Sequence, residues 1–186
     1  RMAWEAGAAE AGVGTLELFR VAPFGADFAT WNDIEIACAQ PDLWVTARGE
    51  RFCDETIGFW DTQVGNANSK FAKDGYTFNI LDDSVLNHMI QNGIDNNVGV
   101  DFLPGYKPAN VFKEIEAALE RGSTEVFAAA SVEELAVKIG ADPAVLEATV
   151  DEYNVCCAAG YDEAFAKDHK YLRPLLGPRF YAVKGR

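Results

Sequence analysis

The chain has 186 residues, with 29 acidic against 16 basic side chains, a formal net charge of −13 and a hydrophobic content of 49%. This apolar content excludes a disordered chain, and four cysteines are too few for a disulfide-stabilised secreted scaffold. The acidic balance argues against nucleic acid as a partner, and no apolar run approaches the roughly 20 residues of a membrane span. The length is that of one globular domain, or of one domain and a fragment.

The first residues have the pattern of a helix that nothing precedes or caps. We therefore expect the chain to be a piece of a longer protein, cut within a helix. Alternating apolar and polar residues then predict strands over 15–21, 43–46 and 76–81. Residues 51–53 could return as the partner of the second strand in a hairpin, and Gly49 supplies the positive φ that the turn between them requires.

Helical periodicity and capping signals predict most of the remaining elements. A loose 3.6-residue period favours a helix over 55–72, and Asp82 or Asp83 can cap a helix that ends at Gly93. The later predicted elements are helices over 110–122, 131–140 and 142–160 and strands over 124–129 and 180–183. Asn110 can cap the first of these helices, Ser131 and Glu134 form a capping box for the second, and Asp142 and Pro143 begin the third. Strands and helices do not alternate strictly, so the predicted class is α+β, with a small mixed or antiparallel sheet packed with helices.

Motifs that would define a chemistry are missing from the sequence. His88 and His169 have no cysteine or carboxylate at metal-ligand spacing, so no metal site is predicted. The vicinal Cys156 and Cys157 lie on an apolar helical face, which favours a packing role. Neither G-x-S-x-G, a P-loop nor G-x-G-x-x-G occurs. Residue chemistry alone therefore supports only an acidic α+β domain.

Several segments, taken in order, carry a resemblance. They are Met2–Ala8, Trp44–Glu55, Gly75–Asp82, Ser131–Gly140, Asp142–Asn154, Gly160–Asp162 and Gly177–Ala182. Together they resemble the FAD-dependent fumarate reductase and succinate dehydrogenase flavoproteins, and the match covers almost the whole chain. The G-x-R-F-x-[ND]-E segment at Gly49–Glu55 and the run from Glu134 to Asn154 are together the specific part.

The resemblance implies a capping (clamp) domain, which this family inserts into a discontinuous FAD-binding domain. Residues 1–14 would then be a helix remnant from the edge of the FAD-binding domain, residues 15–180 the substrate lid, and residues 181–186 a strand returning toward that domain. FAD would be bound in the full-length protein, mostly outside this chain, and the isolated chain would be inactive. The implied partners are the FAD-binding domain of the same polypeptide and a small-molecule substrate.

The chain departs from the family at positions that bind substrate. The family places a catalytic, proton-donating Arg four residues after the Glu that corresponds to Glu55, and Phe59 stands there. Ala22 occupies the position of a family His, Cys38 that of a family Arg, and Glu35 would match an acidic residue of the family site. A phenyl ring cannot donate a proton, and apolar replacements suit a larger, less charged substrate.

The candidate substrate-facing residues are Phe59, Trp60, Cys38, Glu35 and Ala22, and the structural hairpin motif comprises Gly49, Arg51, Phe52 and Glu55. Plainer interpretations stay open: Phe59 and Trp60 as core or interdomain contacts, and Cys38 as a small buried hydrophobe. The predicted function is that of a cap from an FAD-dependent enzyme that reduces or dehydrogenates an activated C=C or C–C bond in a substrate other than fumarate. The alternatives are a stand-alone ligand- or protein-binding module without catalysis and a true fumarate reductase cap.

Overall fold

The computed structural model describes residues 2–9, 22–23 and 32–185. Its strands are β1 Leu43–Thr46, β2 Thr77–Asp82, β3 Val126–Ala129 and β4 Phe180–Gly185. Its α-helices are α1 Met2–Glu5, α2 Asp33–Cys38, α3 Asp61–Phe71, α4 Asp83–Asn92, α5 Val111–Glu120, α6 Val132–Ile139 and α7 Pro143–Ala159, and Glu55–Phe59 and His169–Tyr171 are 3₁₀ turns. The α+β class is confirmed, while the strand predicted over 15–21 lies outside the described residues.

The sheet is antiparallel throughout, in the order β1-β2-β4-β3. Every residue of β2 is buried, because the sheet shares one core with residues of α2 and α4 to α7. A second, smaller core lies beyond β1, where Trp44, Phe52, Cys53 and Val64 pack together. This smaller core fixes the start of α3 and the turn before it against the edge of the sheet.

Helices α4, α6 and α7 begin at predicted capping residues that make the expected bond, whereas the side chain of Asn110, before α5, makes no capping bond. Asp82 is the residue that caps α4: its Oδ1 accepts from the Val85 N–H at 2.8 Å. Its Oδ2 accepts from the N–H groups of Leu176 and Gly177, which also ties the final loop to the sheet. At α6, Ser131 accepts from the N–H of Glu134, but the Glu134 carboxylate bonds the N–H of residue 130 rather than that of Ser131.

The segment after β1 differs from the sequence prediction. Residues 51–53 make no second strand, only an isolated bridge between Val45 and Arg51. The helix predicted over 55–72 is divided at Trp60, whose backbone is extended, into a 3₁₀ turn and α3. The cause is local, since the Asp54 carboxylate accepts the N–H of Thr56 and starts a separate turn. Helix α2 was not predicted.

Strand β4 lies in the middle of the sheet, between β2 and β3. The predicted return strand, residues 181–186, therefore forms part of this sheet as far as residue 185. The division into residues 1–14, 15–180 and 181–186 concerns a longer protein and remains a prediction. Within the described part of the chain, none of the helices has the length and apolar character needed to cross a bilayer.

Candidate functional site

Phe59 ends the first 3₁₀ turn, and its half-buried ring contacts Tyr171 from the far end of the chain. The ring centroids are 5.0 Å apart at an interplanar angle of 78°, an edge-to-face arrangement. Trp60 follows directly and is 65% exposed. The position at which the family resemblance places an Arg is thus part of an aromatic pair, Phe59–Tyr171, flanked by a third, exposed ring.

The turn that carries Phe59 is held against the end of α2. A Cβ on Gly58 would lie 2.7 Å from the ring of Trp44, so only glycine fits there. The Asn96 Nδ2 donates to the carbonyl of Gly58 at 2.8 Å and to that of Ala39 at 3.4 Å. These bonds bring the loop after α4, the end of α2 and the Phe59 turn together.

Glu55, the first residue of the Phe59 turn, belongs to a buried ion cluster, which we define as Arg51, Glu55, Asp162 and Lys167. Arg51 donates to both carboxylate oxygens of Glu55, at 2.7 and 2.8 Å, and to Asp162 at 2.8 Å. The Lys167 ammonium lies 3.2 Å from Glu55 and donates to the Tyr153 hydroxyl at 3.0 Å. The Glu55, Asp162 and Lys167 side chains are fully buried. The cluster therefore joins the predicted hairpin motif to the loop after α7.

The charges of this cluster stabilise one another. Burial alone would raise the pKa of Asp162, but hydrogen bonds from Arg51 and from the backbone N–H groups of Phe165 and Lys167 lower it. Burial likewise opposes the charged form of Arg51, yet its bonds to Glu55 and Asp162 raise the pKa of the guanidinium. Short hydrogen bonds between these buried side chains make the cluster a rigid link between the two segments.

Asp42 is a second buried carboxylate with a different environment. Both its oxygens lack a hydrogen bond from the residues that the structure describes, and the Arg173 guanidinium lies 3.9 Å away. Burial raises the pKa of Asp42 to about 6, an effect that Arg173 and Lys167 reduce and that Asp95 and Glu55 reinforce. At neutral pH the Asp42 carboxylate is therefore mostly ionised, and its burial lowers the stability of the folded protein.

We expect Asp42→Asn to remove a pH dependence of stability. The pKa in the folded state is about 6, whereas that of an unfolded Asp is about 3.9. Between these values the folded protein binds more protons than the unfolded chain, so stability falls as pH rises through this window. Urea unfolding of both proteins at the two ends of the window measures the difference. Asp101→Asn, at an exposed aspartate, controls for loss of one charge, and an unchanged pH slope in Asp42→Asn would contradict the assignment.

Two basic side chains of the segment that carries Tyr171 pair with carboxylates. Arg173 donates to Asp95 at 2.6 Å and also faces Asp42. The Lys170 ammonium lies 3.2 Å from Asp168 and 4.7 Å from the centre of the Tyr171 ring. Lys170 and Arg173 therefore each have a carboxylate partner among the described residues.

The remaining candidate substrate-facing residues, Cys38, Glu35 and Ala22, differ in how far they are buried. Cys38 is buried at the end of α2, donates its thiol hydrogen to the carbonyl of Glu35 at 3.3 Å, and has a pKa raised by burial and by Glu35. It borders a small cavity of about 20 Å³ beside Trp44 and is linked to the Phe59 turn through residue 39. Glu35 and Ala22 are half-buried, and the residues on either side of Ala22 and Pro23 lie outside the described ranges. A substrate-facing role for these residues remains a prediction.

The hairpin motif residues have clear positions. Gly49 has a φ of +90°, and a Cβ there would lie 3.1 Å from that of Leu146, so the turn packs directly on α7. Phe52 belongs to the smaller core and Arg51 and Glu55 to the ion cluster. Within the described ranges, no group of three or more His, Cys, Asp or Glu residues is arranged to hold a metal ion.

Several residues of this area were not predicted from the sequence, above all Tyr171, Lys167 and Asn96. Their partners lie far away along the chain: Lys167 and the carbonyl of Asp42 are separated by 125 residues. The resembling segment Gly160–Asp162 was the one available signal that this loop belongs with the hairpin.

No family model matches the chain. A protein named vinyl phenol reductase, from Lactiplantibacillus plantarum, is 33% identical to it over 189 residues, which cover 99% of this chain and 38% of that protein. A flavocytochrome c3 fumarate reductase in its open conformation has a TM-score of 0.58 at 20% identity, over 99% of this chain and 27% of that one.

Two further solved structures are similar. The 3-ketosteroid Δ1-dehydrogenase of Sterolibacterium denitrificans has a TM-score of 0.65 at 17% identity, over 98% of this chain and 33% of its own. The solution NMR structure of a fumarate reductase flavoprotein subunit from Lactobacillus plantarum has a TM-score of 0.55 at 24% identity, over 81% of this chain and 85% of that one. A chain of similar extent therefore folds by itself in solution.

These comparisons confirm the resemblance seen in the sequence. The chain has the fold of one part of the fumarate reductase-type flavoproteins and related dehydrogenases. It spans between 27% and 38% of the curated relative, of the flavocytochrome c3 chain and of the ketosteroid dehydrogenase chain, as a capping domain of that family would.

Proposed function

We propose that this chain is the substrate-capping domain of a longer FAD-dependent oxidoreductase that reduces or dehydrogenates an activated C=C or C–C bond in a substrate other than fumarate. The observation that carries the proposal is the aromatic pair at the position of the family's catalytic Arg. A dicarboxylate would meet two rings there in place of the guanidinium that the resembling family uses. The name of the vinyl phenol reductase relative supports a substrate that is aromatic and less charged.

FAD would be held mostly by the rest of the longer protein. The chain has no glycine-rich phosphate-binding motif, so we assign none of its residues to the cofactor. When bound, the flavin supplies hydride transfer chemistry. The part of this chain would be to cover the substrate, to exclude water from it and to select its shape through Phe59 and its neighbours.

The first test uses the full-length gene product with this chain as the control. We expect the absorption band of oxidised flavin in the long protein and none in the chain alone. After reduction, the flavin should be reoxidised by 4-vinylphenol with a kcat/KM roughly 10- to 100-fold above that for fumarate. If the full-length protein is folded but does not bind added FAD, the result would favour the alternative function, a stand-alone binding module without catalysis. A preference for fumarate would favour a true fumarate reductase cap.

Phe59→Arg should shift this preference toward fumarate. A guanidinium at this position restores the group that the resembling family uses, and it places a charge against the Tyr171 ring where an uncharged substrate would lie. We expect kcat/KM for 4-vinylphenol to fall roughly 10-fold and the KM for fumarate to fall as well. Steady-state assays of the full-length enzyme measure both. Phe71→Arg, at an exposed ring on α3, is the matched control, and an equal effect of both substitutions would contradict the assignment of Phe59.

A further inference from the structure

The chain is anchored by ion pairs both before and after Tyr171. Four residues before it, Lys167 is fixed by Glu55 and Tyr153, and two residues after it, Arg173 is fixed by Asp95. Its own turn is closed by the bond from the Tyr171 N–H to the carbonyl of Asp168. The ring therefore has a defined position before any ligand arrives, which lowers the entropic cost of binding against it.

The contacts of the ring leave apolar surface available. Tyr171 and Phe59 are each only half-buried, although they touch each other edge to face. The Lys170 ammonium lies 4.7 Å from the centre of the Tyr171 ring and 3.2 Å from Asp168. A flat, uncharged ring could pack against this pair, whereas a small dicarboxylate would gain no aromatic contact.

We propose that Tyr171 is a specificity-determining residue that binds, together with Phe59, the aromatic ring of an aryl-substituted alkene. This inference rests on the proposed function and adds the class of substrate and a residue that selects it. Tyr171 takes no part in the transfer of the hydride or the proton. Its contribution is to ground-state binding, so it acts on KM rather than on kcat.

The test is the steady-state reduction of 4-vinylphenol by the full-length holoenzyme and three variants. Tyr171→Leu removes the ring, Tyr171→Phe keeps the ring without the hydroxyl, and Tyr161→Leu removes an exposed tyrosine elsewhere in the same loop. We expect Tyr171→Leu to raise KM roughly 2- to 10-fold with kcat nearly unchanged, as for loss of one aromatic contact. Tyr171→Phe and Tyr161→Leu should leave KM within about twofold of the unmodified enzyme.

The outcomes separate this inference from the proposed function. If the unmodified enzyme turns over 4-vinylphenol and the KM of a folded Tyr171→Leu does not change, the inference is wrong and the proposed function stands. An equal rise in Tyr171→Phe would assign the effect to the hydroxyl and overturn the role of the ring. If the unmodified enzyme neither binds nor reduces 4-vinylphenol but reduces fumarate, both fail. Thermal unfolding of each variant shows whether a change in KM reflects loss of fold.

Discussion

Lys167→Met is expected to lower the free energy of unfolding by about 3–5 kcal/mol, a large part of the stability of an ordinary domain. The Lys167 ammonium is fully buried, 3.2 Å from Glu55, and donates to the Tyr153 hydroxyl and to the carbonyl of Asp42. Methionine has a similar volume and would fill the space. The loss would therefore come from the lost ion pair and hydrogen bonds rather than from a cavity, since Glu55 and the Asp42 carbonyl would be left without this donor.

The measurement is urea unfolding of this chain, since a chain of similar extent from a relative folds by itself. Lys138→Met is the matched control, because Lys138 also pairs with a glutamate, Glu134, but at the surface. That substitution should cost no more than about 1 kcal/mol. Equal, small losses in both variants would show that the buried pair contributes little to stability. In the full-length enzyme, Lys167→Met should also weaken 4-vinylphenol binding, because the loop that carries Tyr171 loses an anchor.

The elements that the sequence predicted well are those whose signals are local. Asp82, Ser131 and Asp142 each cap a helix through a side chain that reaches only two or three residues along the chain. Glycines end α6 and α7 in the left-handed conformation that favours them. These features need no knowledge of the fold, so the last third of the chain was predicted nearly as the structure has it.

The candidate site was predictable only in part, because its contacts join distant segments. The family resemblance singled out Phe59, but nothing local to residues 168–173 indicates that Tyr171 would meet it. Helix α2 was missed for a related reason. Its first-turn N–H groups are satisfied by Glu114, 80 and 81 residues away, as well as by Asn32. A six-residue helix stabilised from so far away has little periodicity to detect.

Gly93→Ala should destabilise the fold by about 3–5 kcal/mol through two independent effects. Gly93 has φ +92° and ψ 173°, a backbone conformation that is essentially restricted to glycine. A Cβ there would also lie 2.5 Å from backbone atoms of Gly105, which cannot move aside as a side chain could. This close approach forms the base of the loop after α4, where the N–H of Ile94 donates to the carbonyl of Tyr106 at 2.8 Å.

Gly105→Ala separates the two effects, because Gly105 has the same φ of +92° but nothing within 4 Å of its Cβ position. It should cost only the backbone strain, about 1–2 kcal/mol, and urea midpoints of the two variants give the difference. If both variants lose the same free energy of unfolding, a shift of the loop must relieve the steric overlap between the new Cβ at residue 93 and the backbone of Gly105. Such a shift would be visible elsewhere, because this loop carries Asp95 and Asn96, which hold Arg173 and the Phe59 turn. A relaxed loop should then raise the KM for 4-vinylphenol in the full-length Gly93→Ala enzyme while leaving its flavin band in place.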